Sequence, residues 1–143
     1  MNLLYYFTTV GEMFLDPILL LPMLLATFLG IVVGMLPGLT ATMGVALLTG
    51  LTFGFPTSTA IAMLICVYIG AIYGGSRTAI LLNIPGTPAN AATTLDGFPL
   101  ARSGQAAEAL TVATVMSGIG SIIGAICIVT LAPLLGQMAL EFG

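Results

Sequence analysis

From Pro17 to Ser76 the sequence runs without one charged residue, and from Ala109 to Leu140 it does so again. No water-facing surface can be built from such runs. A soluble domain carries about 25% charged residues, and this chain has 5% against 59% hydrophobic. A bilayer core asks for roughly 20 apolar residues per spanning helix, so the runs have the length for several crossings. The fold class that follows is all-α, a polytopic integral membrane protein whose main solvent is the lipid bilayer. The opening Met1-Asn2-Leu3-Leu4-Tyr5 lacks the basic n-region and small-residue cleavage site of a signal peptide. It is expected to remain as a short interfacial lead-in.

Proline and glycine divide the apolar runs, because proline removes a helix hydrogen bond and glycine relaxes the backbone. Pro37-Gly38 ends a first segment of about 17–36, and Gly54-Phe55-Pro56 ends a second of about 40–53. A third follows over about 58–73. Between Gly74 and Gly104 the residues change character, with Gly74-Gly75-Ser76-Arg77-Thr78, Pro85-Gly86-Thr87-Pro88 and Asp96-Gly97-Phe98-Pro99. These are turn formers. The stretch reads as a short apolar piece, 79–84, plus a re-entrant loop, 85–104. Helical pattern resumes over 106–140, interrupted by Pro133. One domain of 1–143 with four or five membrane segments, discontinuous at Pro-Gly, is the expected organisation.

Small residues at four-residue spacing, Gly30/Gly34, Gly70/Gly74 and Gly120/Gly124, allow close helix packing where no hydrophobic effect drives association. Cys66 and Cys127 stand in apolar runs with no histidine anywhere in the chain, which excludes the usual zinc spacings and leaves packing roles. No basic patch exists for nucleic acid. Enzyme readings lack material as well: there is no histidine, no lysine and no Gly-x-Ser-x-Gly elbow, and Ser76 has no evident base.

What remains is binding chemistry. Irregular backbone at membrane depth is tolerated only where it is buried in protein or lines a wet cavity. Broken helices can aim their free N–H groups and positive dipole ends at an anion. Thr40 and Thr42, following Pro37-Gly38, suit that role, with hydroxyl donors beside a permissive glycine. Arg77 is a lone cation among apolar stretches, and arginine at the bilayer centre costs at least about 2.5–3.5 kcal/mol on insertion scales. Its planar fork fits a carboxylate. Two other readings of Arg77 stand beside that one: a marker of a cytoplasmic loop, or a structural partner of Asp96. Asn83 and Asn90 offer amides beside the second break, and Asp96 is either a turn former or a coupling or gating group. Glu12, Asp16, Glu108 and Glu141 read as interfacial charges.

The run Tyr73-Gly74-Gly75-Ser76-Arg77-Thr78-Ala79-Ile80-Leu81-Leu82-Asn83-Ile84-Pro85-Gly86-Thr87-Pro88, with Asp96-Gly97-Phe98-Pro99-Leu100-Ala101 downstream, resembles the large membrane subunit of the tripartite tricarboxylate transporters. Gly30-x3-Gly34-x2-Pro37-Gly38-Leu39-Thr40 is similar to that family's other signature. The resemblance implies a bacterial inner-membrane permease that imports tricarboxylates or related carboxylates by ion-coupled secondary transport. It implies two partners, a periplasmic solute-binding protein and a small membrane subunit, and no cofactor beyond Na+ or H+ as the coupling ion. Carried onto this sequence, it marks Pro37, Gly38, Leu39, Thr40 and Thr42, then Gly74, Gly75, Ser76, Arg77, Thr78, Asn83, Pro85, Gly86 and Thr87, as substrate- or ion-lining. In that pattern Arg77 tunes substrate choice while its glycine and serine neighbours form the core of the site. Members of the family are several times longer, and the resemblance implies that the chain is an N-terminal portion, one half of an inverted-repeat transporter. The competing expectation is a structural or assembly subunit, or a non-transporting fragment, without a substrate site of its own.

Overall fold

A computed structural model describes residue 11 and residues 16–141, all of its regular structure helical among them. The Met1–Tyr5 lead-in and Glu12 lie outside the described residues, as does the Glu141 side chain. Helix α1 spans Pro17–Gly34. Asp16 caps it, its carboxylate accepting from the Ile18 amide at 2.9 Å, and Pro17 takes the first-turn position where a missing N–H costs nothing. After Gly34 the chain leaves the helix, with Gly38 at φ 93°, a left-handed conformation that glycine adopts without penalty. Thr40 then caps α2 (Ala41–Thr49), its hydroxyl accepting from the Met43 amide at 3.2 Å. The break at Pro37-Gly38 thus forms where the sequence put it. A 3-10 turn, Gly50–Thr52, extends α2 before the Gly54-Phe55-Pro56 turn.

Helix α3 covers Thr57–Leu82 and corrects the sequence reading. Gly74 to Thr78 are not a turn: they continue the helix that was expected to stop at Tyr73. Glycine in a helix costs about 1 kcal/mol relative to alanine, but these glycines are where α1 lies directly against the α3 backbone. A Cβ on Gly74 would meet the Ile31 carbonyl, and one on Gly70 the Thr27 carbonyl. The contact outweighs the propensity. Helix α3 ends at Asn83, in left-handed conformation at φ 59°.

The expected re-entrant loop over 85–104 is only partly irregular. A 3-10 turn, Pro88–Asn90, leads into α4 (Ala91–Leu100), so Asp96-Gly97-Phe98-Pro99 is helical. Gly97 lets α4 settle on α3, its Cβ position lying 2.8 Å from Ile80 Cγ1. A five-residue π-type turn, Ala101–Gln105, with Gly104 at φ 89°, separates α4 from α5 (Ala106–Glu141). Helix α5 passes through Pro133 unbroken, about 54 Å at 1.5 Å per residue.

The chain packs inside out. Its buried residues are mostly small or hydroxylic, among them Ala26, Ala71, Ala79, Thr59, Ser76 and Thr78, with Val67 and Ile80 the large apolar exceptions, while Ile18 is 82% and Phe53 84% exposed. Large apolar side chains face outward, as a hydrocarbon solvent requires. Three helical stretches among the described residues are long and apolar enough to cross a membrane, Pro17–Gly34, Thr57–Leu82 and one within Pro88–Pro133, with Ala41–Thr52 shorter. Between α1 and α3 the Gly30/Gly34 and Gly70/Gly74 pairs meet backbone on backbone. Gly120 and Gly124 meet nothing among the described residues.

The contrast is testable. Gly74→Val should destabilise the protein by about 1–3 kcal/mol or more through overpacking. Gly120→Val should leave it nearly unchanged. Denaturation of the detergent-solubilised protein measures both, and equal stabilities would remove the α1–α3 contact as the organising one.

Candidate functional site

The second break is folded inward. Gly86 lies where a Cβ would meet the Gly34 carbonyl and, at 2.6 Å, the Gly75 Cα. Three glycines from α1, α3 and the break form one junction without side chains. Gly34 is the last residue of α1, so the first break begins at the residue against which the second is packed. The Gly86 amide donates to the Gly75 carbonyl and the Ile84 amide to the Thr78 carbonyl, both at 3.4 Å. Thr87 and Asn90 are 4% and 5% exposed. The Asn90 amide nitrogen donates to the Ile72 carbonyl and to Thr87 Oγ1, both at 2.9 Å. A buried amide thus fastens the break to α3.

Among the residues marked from sequence, the fold brings Gly75, Ser76, Thr78, Gly86 and Thr87 to this junction, with Gly74 one residue away on the α1-facing side. Ser76 Oγ donates to the Tyr73 carbonyl at 2.6 Å and Thr78 Oγ1 to the Gly75 carbonyl at 3.1 Å. Their hydrogens are used within α3. Asn83 and Pro85 are exposed, and the asparagine serves the helix end through its backbone conformation. At the first break Pro37, Gly38 and Thr42 are exposed, Leu39 and Thr40 half-buried, and the Thr40 and Thr42 hydroxyls bond one another at 2.8 Å. The N-terminus of α2 opens outward there.

Arg77 points elsewhere. Its Nη1 donates to the Leu110 carbonyl at 2.9 Å and its Nη2 to Thr114 Oγ1 at 2.7 Å, while the guanidinium stacks 4.0 Å from the centroid of the Tyr73 ring. It ties α3 to α5, and its hydrogen bonds do not go to Asp96. A cavity of about 690 Å³ is bordered by Tyr68, by Tyr73 and Thr114, which contact Arg77, and by Ser117 and Ser121. A second, of about 490 Å³, is bordered by Ser76, Asn90, Asp96 and Glu108. Asp96 sits on its exposed rim as a helical residue.

Asn90 and Glu108 were visible in the sequence but not marked for the site. An amide two residues beyond Pro88 was the available signal for Asn90. Nothing in the sequence distinguished Thr114 from any other helical threonine. No group of three or more histidine, cysteine, aspartate or glutamate side chains gathers among the described residues to hold a metal.

Residues 20–143 match the family described as the tripartite tricarboxylate transporter TctA family. The chain belongs to that family. A relative, an uncharacterized 52.8 kDa protein of the TAR-I ttuC' 3' region of Agrobacterium vitis, is 39% identical over 132 residues. That match takes in 92% of this chain and 26% of the relative. The chain therefore spans about a quarter of the relative's length. No solved structure matches. As a member of that family with long apolar helices it is an integral membrane protein.

The two asparagines separate by substitution. Asn83→Gly keeps the left-handed helix end and should retain uptake and stability. Asn90→Ala loses two hydrogen bonds worth about 0.5–1.5 kcal/mol each, and should lower both. Loss of uptake in Asn83→Gly at normal membrane level would move that amide onto the ligand.

Proposed function

We propose that the protein is part of a permease that imports tricarboxylates or related carboxylates by Na+- or H+-coupled secondary transport across a bacterial inner membrane. A periplasmic solute-binding protein delivers the substrate, and a small membrane subunit completes the system. The observation that carries the reading is the buried second break at Gly34, Gly75 and Gly86. Irregular backbone at this depth is favourable only where protein or a wet cavity satisfies it, and Asn90, which fastens this break, borders a cavity.

Substrate carboxylates fit the Arg77 side of α3. The cavity there has tyrosine, threonine and serine hydroxyls on its wall and an arginine tie at its edge. Arg77 has five N–H donors and gives one hydrogen bond from each terminal nitrogen, which leaves donors for an anion. Gly38, Thr40 and Thr42 at the outward-opening start of α2 are a second anion contact, since the first-turn N–H groups of a helix have no intrahelical acceptor. A purely structural role has one observation in its favour, the satisfied contacts of Arg77 with α5.

Uptake and membrane level, measured together, separate the readings. In the intact permease Arg77→Ala should depress carboxylate uptake by about tenfold or more, the worth of a charge-assisted hydrogen bond, with Arg102→Ala near normal. Gly38→Val should block uptake at normal membrane level, because a β-branched residue resists positive φ. Variants that fail only by loss of protein from the membrane would favour the structural subunit.

A further inference from the structure

The cavity between α3, α4 and α5 sets a few polar groups, Ser76, Asn90, Thr93, Asp96, Glu108 and Ser117, into an otherwise apolar wall. Its buried floor holds Asn90 and Ser76, 5% and 8% exposed, and its exposed rim holds Asp96 from α4 and Glu108 from the first turn of α5. The hydrogens of the floor are all engaged elsewhere. Ser76 gives its proton to the Tyr73 carbonyl, and both amide hydrogens of Asn90 go to Ile72 O and Thr87 Oγ1. A peptide carbonyl only accepts, so the contact with Ile72 fixes which end of the Asn90 amide is nitrogen.

Asn90 Oδ1 is left without a donor. It accepts no hydrogen bond from the described residues. No buried side-chain oxygen or nitrogen among them is both enclosed and unbonded, so this carbonyl meets open space, and the space Asn90 borders is the cavity. Ser76 Oγ likewise retains only lone pairs. Two carboxylates at the rim and two acceptors on the floor disfavour an anion, and the Thr93 and Ser117 hydroxyls on the same wall can also offer lone pairs. They provide oxygen ligands for a hard cation.

We propose that this cavity binds a monovalent metal cation of the Na+ type, with Asn90 Oδ1, Ser76 Oγ and the Asp96 and Glu108 carboxylates as its protein oxygens. The assignment rests on the ion-coupled reading above and gives the ion a cavity apart from the one offered to the carboxylate. Tight divalent sites gather more carboxylates or stricter octahedra, and no three acidic, histidine or cysteine side chains meet here. A weakly held, easily released ion suits two rim carboxylates that stay in contact with water.

Binding can be read without transport. Thermal unfolding of the purified protein is followed while NaCl replaces choline chloride at constant ionic strength. The expected result is a saturable rise in Tm with Na+, whose midpoint moves upward by about tenfold or more in Asp96→Asn and in Glu108→Gln. Ser76→Ala, which keeps the fold of α3, should raise it less. Asp16→Asn removes one negative charge elsewhere and keeps a cap oxygen, so its midpoint should match the parent.

Equal stabilisation by choline, or an equal midpoint shift in Asp16→Asn, overturns the site. So does saturation by Ca2+ or Mg2+ at concentrations where Na+ has no effect, or a response to pH alone. Carboxylate exchange in proteoliposomes distinguishes the two levels. Exchange without Na+ binding removes this site and leaves the permease, whereas Na+ binding without exchange leaves the site and removes the permease.

Discussion

Backbone-on-backbone contact between α1 and α3 is the interaction on which everything else rests. In hydrocarbon an apolar side chain gains little by leaving the solvent, so helices associate through dispersion and close approach instead. Gly30, Gly34, Gly70 and Gly74 make that approach possible by removing the side chains between two helices. The consequence reaches the second break, because only with α1 so near α3 can the Gly34 carbonyl serve as the surface against which Gly86 is seated. The exposure of most large apolar residues follows from the same arrangement: apart from Val67 and Ile80, the buried interior is made of small and hydroxylic residues and Asn90.

A division of polar chemistry follows along α3. Hydroxyls and amides near the junction give their hydrogens to carbonyls of the protein, which satisfies the broken helix and leaves lone pairs toward the α4 and α5 side. From the next position along, Arg77 reaches the same α5 over the face of Tyr73. Adjacent residues of the helix thus present acceptors and donors in different directions. Its sequence, Gly-Gly-Ser-Arg-Thr, achieves this with consecutive residues because neighbours on a helix point about 100° apart.

Much of this was legible beforehand. Uncharged runs identify the solvent, and Pro37-Gly38 and Pro85-Gly86 locate both irregular segments correctly, since proline and glycine act on the local backbone. The pairs Gly30/Gly34 and Gly70/Gly74 read rightly as packing faces. Local reasoning failed where a contact overrode propensity. Gly74 and Gly75 look like a turn until α1 is known to cover them, and Asp96-Gly97-Phe98-Pro99 looks like one until Gly97 is seen against Ile80. The partners of Arg77 were beyond reach for another reason. They lie more than 30 residues away, and one is a backbone carbonyl that carries no signal in the sequence.

Gly34, Gly75 and Gly86 bring no side chain of their own to the junction, so every replacement there adds at least one carbon to a space already filled by main chain and, at Gly75, by the Asn90 amide. Variation at those positions has only one direction, toward crowding. Any diversification of what such a protein carries must then be written in the ring of residues around the junction, in positions such as Arg77, Asn90 and Thr87, while the centre stays blank.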